Sequence, residues 1–404
     1  MANERPSTSQ HEPTPTNSYG KRKPQIKKQD LYMLMALWME QSPWAITTTE
    51  KERVVGAVFV QPNDRVLSVD CSRSNDGGIV HGAIRALIKY PDQVEGCYVY
   101  LSRQPCAHCV KMLVQAAVKK VFYLPLTPEK DEQEENKSVD ALFKVSPVSR
   151  EVYVPNITKD DLDELKSANN KNLYDTKDIE EKDDLSVTLK VEWDDEWKKN
   201  IAAKIRWDEY SDTEIKKQVD DDMEFFFDWF DKGILETGEE KEMAFNVRGS
   251  ENTQNPPVTQ KVANHLSRLA QMLSNRTDDP NRGVGCVIIN GEEIVATGWN
   301  GFPAKALYGN HPRQGKSGDG GPDKYPHVIH AEQNALMRRN KRKLEGATAF
   351  VNKIPCNECL PMLCDAGVKT LYLSKKTFDK EGNPPDSEAN FYKRKHNLTV
   401  YKQD

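Results

Sequence analysis

The chain has 404 residues, 37% of them hydrophobic, with 57 Lys and Arg against 62 Asp and Glu. That length predicts two to three domains, each large enough for a core of its own. The longest apolar runs, such as Leu31 to Trp38, fall far short of the ~20 residues a membrane span needs. The start, Met1-Ala2-Asn3-Glu4, is polar, so neither a secretory segment nor a transit helix is expected, and the protein is expected to be soluble and cytoplasmic.

The net charge of −5 is a sum of unlike parts: residues 126–250 hold 35 acidic and 19 basic residues, net −16, and the rest is net +11. An acidic middle therefore separates two basic ends. Of eight cysteines, Cys106/Cys109 and Cys356/Cys359 form two Cys-x-x-Cys pairs, whereas Cys71, Cys97, Cys286 and Cys364 lie in or beside apolar segments and read as small buried residues. Without an export signal, paired cysteines point to metal or redox chemistry before disulfides.

Residues 1–28 are rich in Pro, Ser, Thr and Asn and are expected to be a disordered basic tail. The run Lys21-Arg22-Lys23 to Lys27-Lys28 reads as a solvated charge run, with a nuclear-import signal as the alternative. Residues 29–165 form the first predicted domain. Asp30 is placed as the N-cap of a helix through Leu31, Met35, Trp38 and Met39. The strand Val54–Val60, helices from near His81 and near Cys106, and strands at Val121–Leu124 and Glu151–Val154 follow.

Residues 166–255 read as an acidic, partly helical insertion, its Trp193, Trp197, Trp207, Trp229 and Phe225-Phe226-Phe227 arguing against full disorder. Residues 256–404 then repeat the first order. A helix carries Val262, Leu266, Leu269 and Leu273. The strand Val284–Ile289, helices near His330 and at Cys356, and strands at Thr370–Leu373 and Leu398–Tyr401 complete the second domain. At an offset of 250, Cys106, Cys109, Met112, Leu113, Ala116, Val118 and Lys119 fall on Cys356, Cys359, Met362, Leu363, Ala366, Val368 and Lys369. His81 falls on His330 at 249. Two copies of one α/β unit are present.

The second copy reads His330-Ala331-Glu332, then Pro355-Cys356-Asn357-Glu358-Cys359, the signature of zinc nucleobase deaminases. One imidazole and two thiolates give Zn²⁺ three protein ligands and leave the fourth position for water. Thiolates at a helix start are helped to ionise by its exposed N–H groups. Glu332, two residues past the histidine, can take the water's proton and return it to the ring and the departing ammonia. The first copy keeps His81, Cys106 and Cys109 as donors for a structural zinc but has Ala83 where the second has Glu332, and alanine cannot shuttle a proton. It is expected to be inactive. A closed Cys₄ site joining both pairs, and a redox pair, are the weaker alternatives. The second copy also has 20 more residues between its first strand and its histidine, counted from Gly285 rather than Gly56. They include Trp299-Asn300-Gly301-Phe302-Pro303 and the cations Lys305, Arg313, Lys316 and Lys324, expected around a phosphate-bearing substrate. His311 and His327, as lone loop histidines, are expected to be neither ligands nor catalysts.

At Arg276–Pro280, Val284-Gly285-Cys286, Gly298–Pro303, Lys324-Tyr325-Pro326, His330-Ala331-Glu332 and Pro355–Cys359 the second copy resembles the deoxycytidylate deaminase family of the zinc-dependent cytidine deaminase superfamily. The resemblance covers nearly all of 258–404 and is weak in the first copy. It implies an α/β fold of two units, each a mixed sheet of about five strands sandwiched by helices. It implies hydrolytic deamination of a deoxycytidine nucleotide, dCMP or dCTP, with His330, Cys356 and Cys359 on zinc, Glu332 as proton shuttle and Asn300 on the nucleotide. Trp299 stands where the family usually has tyrosine. A homo-oligomer, often with an allosteric deoxynucleoside triphosphate, is also implied.

Nucleoside deamination, a nucleic-acid editor and a non-catalytic scaffold compete with this. Editors of the superfamily usually carry a Ser-Trp-Ser-like triplet before Pro-Cys, where Asn352-Lys353-Ile354 stands here, and the acidic middle would repel a phosphate backbone. The basic cluster Arg338, Arg339, Lys341, Arg342, Lys343 argues the other way.

Overall fold

In the computed structural model, the described residues are 26–46, 53–75, 78–130, 133–155, 226, 245–247, 256–279, 282–303, 327–373 and 398–403. The basic run at 21–25, most of the acidic insertion, Lys305, His311, Arg313, Lys316 and Lys324 lie outside them.

The first copy runs α1 (Lys28–Glu40), β1 (Gly56–Val60), β2 (Val66–Cys71), β3 (Arg73–Asn75), β4 (Gly78–Val80), α2 (Gly82–Lys89), β5 (Tyr98–Leu101), α3 (Ala107–Gln115), β6 (Lys120–Tyr123), α4 (Gln133–Lys144) and β7 (Ser149–Val152). Its sheet is ordered β2-β1-β5-β6-β7. β1 is antiparallel to both β2 and β5, whereas β5, β6 and β7 run parallel. Strand alternation divides the core: Val58 and Val60 face α1, and Ala57 and Phe59 face α2 and α3.

After β8 (Phe245–Val247), the second copy runs α5 (Gln260–Ser274), β9 (Gly285–Asn290), β10 (Glu293–Trp299), α6 (Ala331–Arg338), β11 (Ala347–Val351), α7 (Cys359–Asp365), β12 (Val368–Leu373) and β13 (Thr399–Gln403). The order β10-β9-β11-β12-β13-β8 repeats the first sheet. It adds one strand from the acidic middle, which pairs antiparallel with β13. Both units are mixed sheets flanked by helices, as the resemblance implies.

Three details differ from the sequence expectation. Asp30 lies inside α1, which starts at Lys28 with Lys27 at its cap. Its buried carboxylate instead accepts a 2.5 Å hydrogen bond from Tyr153 Oη. Ile26 is buried, although it lies within the stretch expected to be disordered. Cys364 is half-buried, whereas Cys71, Cys97 and Cys286 are fully buried.

The two copies share a core. α1 is buried on every side from Asp30 to Glu40, the mark of a helix with no solvent face. Its apolar residues pack between their own sheet and α5, where Leu266, Leu269 and Leu273 join the same cluster as Leu31, Met35 and Trp38. Each such side chain contributes about 1.5–3 kcal/mol of gross burial. Polar contacts edge the seam in related pairs. The β1–β2 turn sends Arg65 Nε to Arg338 O (3.1 Å) and Arg65 Nη2 to Arg339 O, at the end of α6. The β9–β10 turn sends Glu292 to Arg73 (2.9 Å from its carbonyl oxygen to Nη2) and Glu293 to Tyr90 Oη (2.7 Å), at the end of α2. Among the described residues no helix is long and apolar enough to cross a membrane.

Candidate metal centres and active site

In each copy the second helix opens at the histidine, and the Cys-x-x-Cys pair straddles the start of the next helix. His330 precedes α6, its N–H donating to Gln333 Oε1 (2.9 Å). Cys359 opens α7, with Cys356 one turn ahead of it: Leu360 N donates to Cys356 O at 3.0 Å. The tertiary fold brings the three together, His330 Nδ1 lying 3.2 Å from Cys356 Sγ and 3.3 Å from Cys359 Sγ. Two ligand atoms held at 2.0–2.1 and 2.3 Å by one tetrahedral ion are about 3.5 Å apart. The donor set therefore fits zinc in kind and spacing.

Hydrogen bonds from Cys359, then His330, then the N–H groups of Cys359 and Glu358 pull the Cys356 thiol down to about 3 against its burial. The same contact with Cys356 pushes Cys359 up. Glu332 is buried on α6, 4% exposed, and burial holds its pKa above the usual carboxylate range. A buried carboxyl whose proton affinity is raised in this way is suited to exchange a proton with a group beside it.

The first copy repeats the arrangement. His81 Nδ1 is 3.3 Å from both Cys106 Sγ and Cys109 Sγ. Sequence reasoning missed a fourth member, Glu129, whose Oε1 lies 3.0 Å from the same nitrogen and whose Oε2 accepts from Cys106 N at 3.0 Å. Burial opposes its charge, but the His81 contact and the Cys106 N–H hold its pKa below the ordinary value. Burial acts against a charged His81, and Cys106 and Glu129 more than offset it, raising His81 to about 10. The one signal available in sequence was a carboxylate in the mostly apolar run Leu124–Glu129 after β6.

The expected substrate residues divide. Asn300 is buried beside the site, with its amide engaged: Nδ2 donates to Arg282 O (2.9 Å) and Asp279 Oδ2 (3.3 Å), and Oδ1 accepts from Val284 N (2.7 Å). Trp299 points to the opposite face of its strand, its ring in the core shared by the copies with Arg338 stacked 5.3 Å over it. Its neighbour Gly298 is the residue that faces α6. Sequence reasoning also passed over Lys353, which lies close enough to Arg282, Glu332 and Cys356 for their charges to act on it.

Two mixed sheets, each carrying one His-Cys-Cys set at matching helix starts, define a zinc deaminase architecture in duplicate. A family model described as the cytidine and deoxycytidylate deaminase zinc-binding region matches residues 26–125 and again 260–375. The chain belongs to this family, whose cofactor is zinc. Among its relatives, the cytidine and dCMP deaminase domain-containing protein 1 of Danio rerio is 26% identical over 424 residues, spanning 86% of this chain and 84% of its own. The deoxycytidylate deaminase of Homo sapiens is 36% identical over 119 residues, 29% of this chain and 67% of that enzyme. A solved dCMP deaminase from cyanophage S-TIM5, in complex with dCMP and dUMP, aligns at 24% identity with a TM-score of 0.28, covering 36% of this chain and 99% of its own.

Proposed function

We propose that the second copy catalyses hydrolytic deamination of a deoxycytidine nucleotide at C4, giving the deoxyuridine nucleotide and ammonia. The observation that carries this is the buried Glu332 two residues beyond His330, in a donor set whose first-copy counterpart has Ala83 instead. His330, Cys356 and Cys359 would hold zinc, which supplies the Lewis acidity that activates water. Glu332 accepts the water's proton and delivers it to the ring nitrogen and the leaving amine. Burial keeps Glu332 away from bulk solvent and raises its affinity for that proton. Asn300 ties Val284 to the 279–282 turn, and so fixes the wall beside the base.

A nucleotide is favoured over a nucleoside because Arg282 and Lys353 set positive charge next to the site, joined in this proposal by Lys305, Arg313, Lys316 and Lys324. The first copy, residues 29–165, serves as a structural partner to the catalytic copy, 256–404, with the acidic 166–255 between them. The homo-oligomer and the allosteric deoxynucleoside triphosphate rest on the family resemblance alone. Two of the five basic residues that favour editing of DNA or RNA have other partners, Lys341 on Glu293 at 2.5 Å and Arg338 over Trp299, which supports the nucleotide reading over that alternative.

The test is ammonia release from dCMP, dCTP, deoxycytidine and single-stranded DNA by the purified full chain. A nucleotide is expected to be turned over best; equal efficiency on deoxycytidine, or uracil formed in DNA alone, would overturn the proposal.

A further inference from the structure

The two donor sets differ in number as well as in their proton shuttle. Among the described residues, the second copy gathers three metal-binding side chains and the first gathers four: His81, Cys106, Cys109 and Glu129, with all ligand atoms within 4.8 Å of one another. We propose that Glu129 is the fourth ligand of a closed zinc site in the first copy, filling the coordination position that catalysis needs open.

Zinc accepts sulfur, imidazole nitrogen and carboxylate oxygen, and structural sites are four-coordinate with every position taken by protein. The set His-Cys-Cys-Glu meets that requirement from one chain. Its members are 7%, 2%, 1% and 2% exposed respectively, so water has no ready approach. Glu129 is also firmly mounted: its N–H donates to Gln104 O (3.0 Å), and its carbonyl accepts from Arg53 N (3.1 Å). Its second carboxylate oxygen holds Cys106 N, the start of α3, leaving the first free to face the histidine and the thiols. Two thiolates and one carboxylate around Zn²⁺ leave a net charge of −1. The first copy is then inactive for two independent reasons, the absence of a carboxylate at position 83 and the absence of a place for the attacking water.

Metal chemistry tests this without any activity assay. The full chain as purified is expected to hold two zinc ions per chain by mass spectrometry of the metal. With cobalt(II) in place of zinc, azide titrated into the visible spectrum reports open coordination positions. The Glu129→Ala variant is expected to take up one more azide per chain than the parent. Its zinc is expected to pass to a chelator at least about 10-fold faster in one of two phases, the scale on which supporting carboxylates act at metal sites. Equal azide stoichiometry in parent and variant, unchanged release, or one zinc per parent chain would each overturn the proposal. Glu129→Gln keeps an acceptor for Cys106 N but ligates poorly, and gives the same release comparison should the alanine variant not fold. None of these readouts depends on which nucleotide the second copy uses.

Discussion

Trp38 of the first copy stacks on His265 of the second, ring centroids 4.9 Å apart and planes 9° from parallel. The indole Nε1 also donates to the His265 carbonyl at 3.2 Å. His265 is 5% exposed, and its Nε2 has no hydrogen-bond partner. Burial, with the Arg268 charge, lowers its pKa to about 3. The folded protein therefore binds this proton less readily than the unfolded chain, whose histidine titrates near 6.5. Stability from the neutral ring is complete above 6.5 and is lost as pH falls towards about 3. Acidification from pH 7 to pH 5 is expected to cost roughly 2 kcal/mol through this group. His265→Leu removes that increment, read as the difference between parent and variant in denaturant midpoint at the two pH values. An identical pH dependence in both would contradict the assignment.

Glu332→Gln is expected to lower turnover by about 10²–10⁴, the scale of a lost general acid–base group. Because His330, Cys356 and Cys359 are untouched, the variant keeps its zinc. Metal content and ammonia release measured on the same preparation separate the two effects.

Gly285 and Gly56 sit at equivalent places against the helices that close the seam. A Cβ on Gly285 would lie 1.8 Å from Ala270 O, and on Gly56 1.8 Å from Ala36 O. Backbone cannot swing aside as a side chain can, so Gly285→Ala is expected to destabilise by about 3 kcal/mol, at the upper end of overpacking. Gly291→Ala is the control: its φ of 61° is strained for alanine, but nothing lies within 4 Å of the added carbon. It should lose about 1 kcal/mol. Urea denaturation of the three proteins orders them.

Asp70, 1% exposed, receives Arg73, Arg85 and Lys89 at 2.9, 2.9 and 2.7 Å. Burial works against its charge, but Arg73, Lys89 and Arg85 outweigh it and hold the pKa below 3.8. That stability is present above the unfolded pKa and is lost as pH falls through the lower folded one. Asp70→Asn leaves three cations around a neutral amide and is expected to cost about 3 kcal/mol at pH 7. The gap between variant and parent should narrow below pH 4, as thermal melts at a series of pH values would show.

How much of this the sequence disclosed depends on distance along the chain. His330, Glu332, Cys356 and Cys359 were legible because each pair is local and the offset between copies is nearly constant. Ala83 against Glu332 was legible for the same reason. Glu129 was not: it reaches His81 across 48 positions and belongs to no spaced motif. The central strands Tyr98–Leu101 and Ala347–Val351 escaped notice because four or five apolar residues carry too little periodicity to identify a strand. The seam was hidden altogether, as Trp38 and His265 are 227 residues apart. Trp299, plausible as a substrate residue from its neighbours, packs into the same shared core.

In a twofold homodimer each substitution strikes the interface at two places at once. Here both halves share one backbone, so each strikes once, and dilution cannot separate them. The contacts of Gly56 with Ala36 and of Gly285 with Ala270 mark equivalent places on α1 and α5, which makes Leu31 the counterpart of His265. Equivalent places have therefore come to hold different chemistry, something a symmetric pair could not allow. Arg65 illustrates the result: it belongs to the half with alanine at position 83, yet it grips the end of the helix that carries Glu332. Damage to the half with Ala83 would register in the half that carries Glu332.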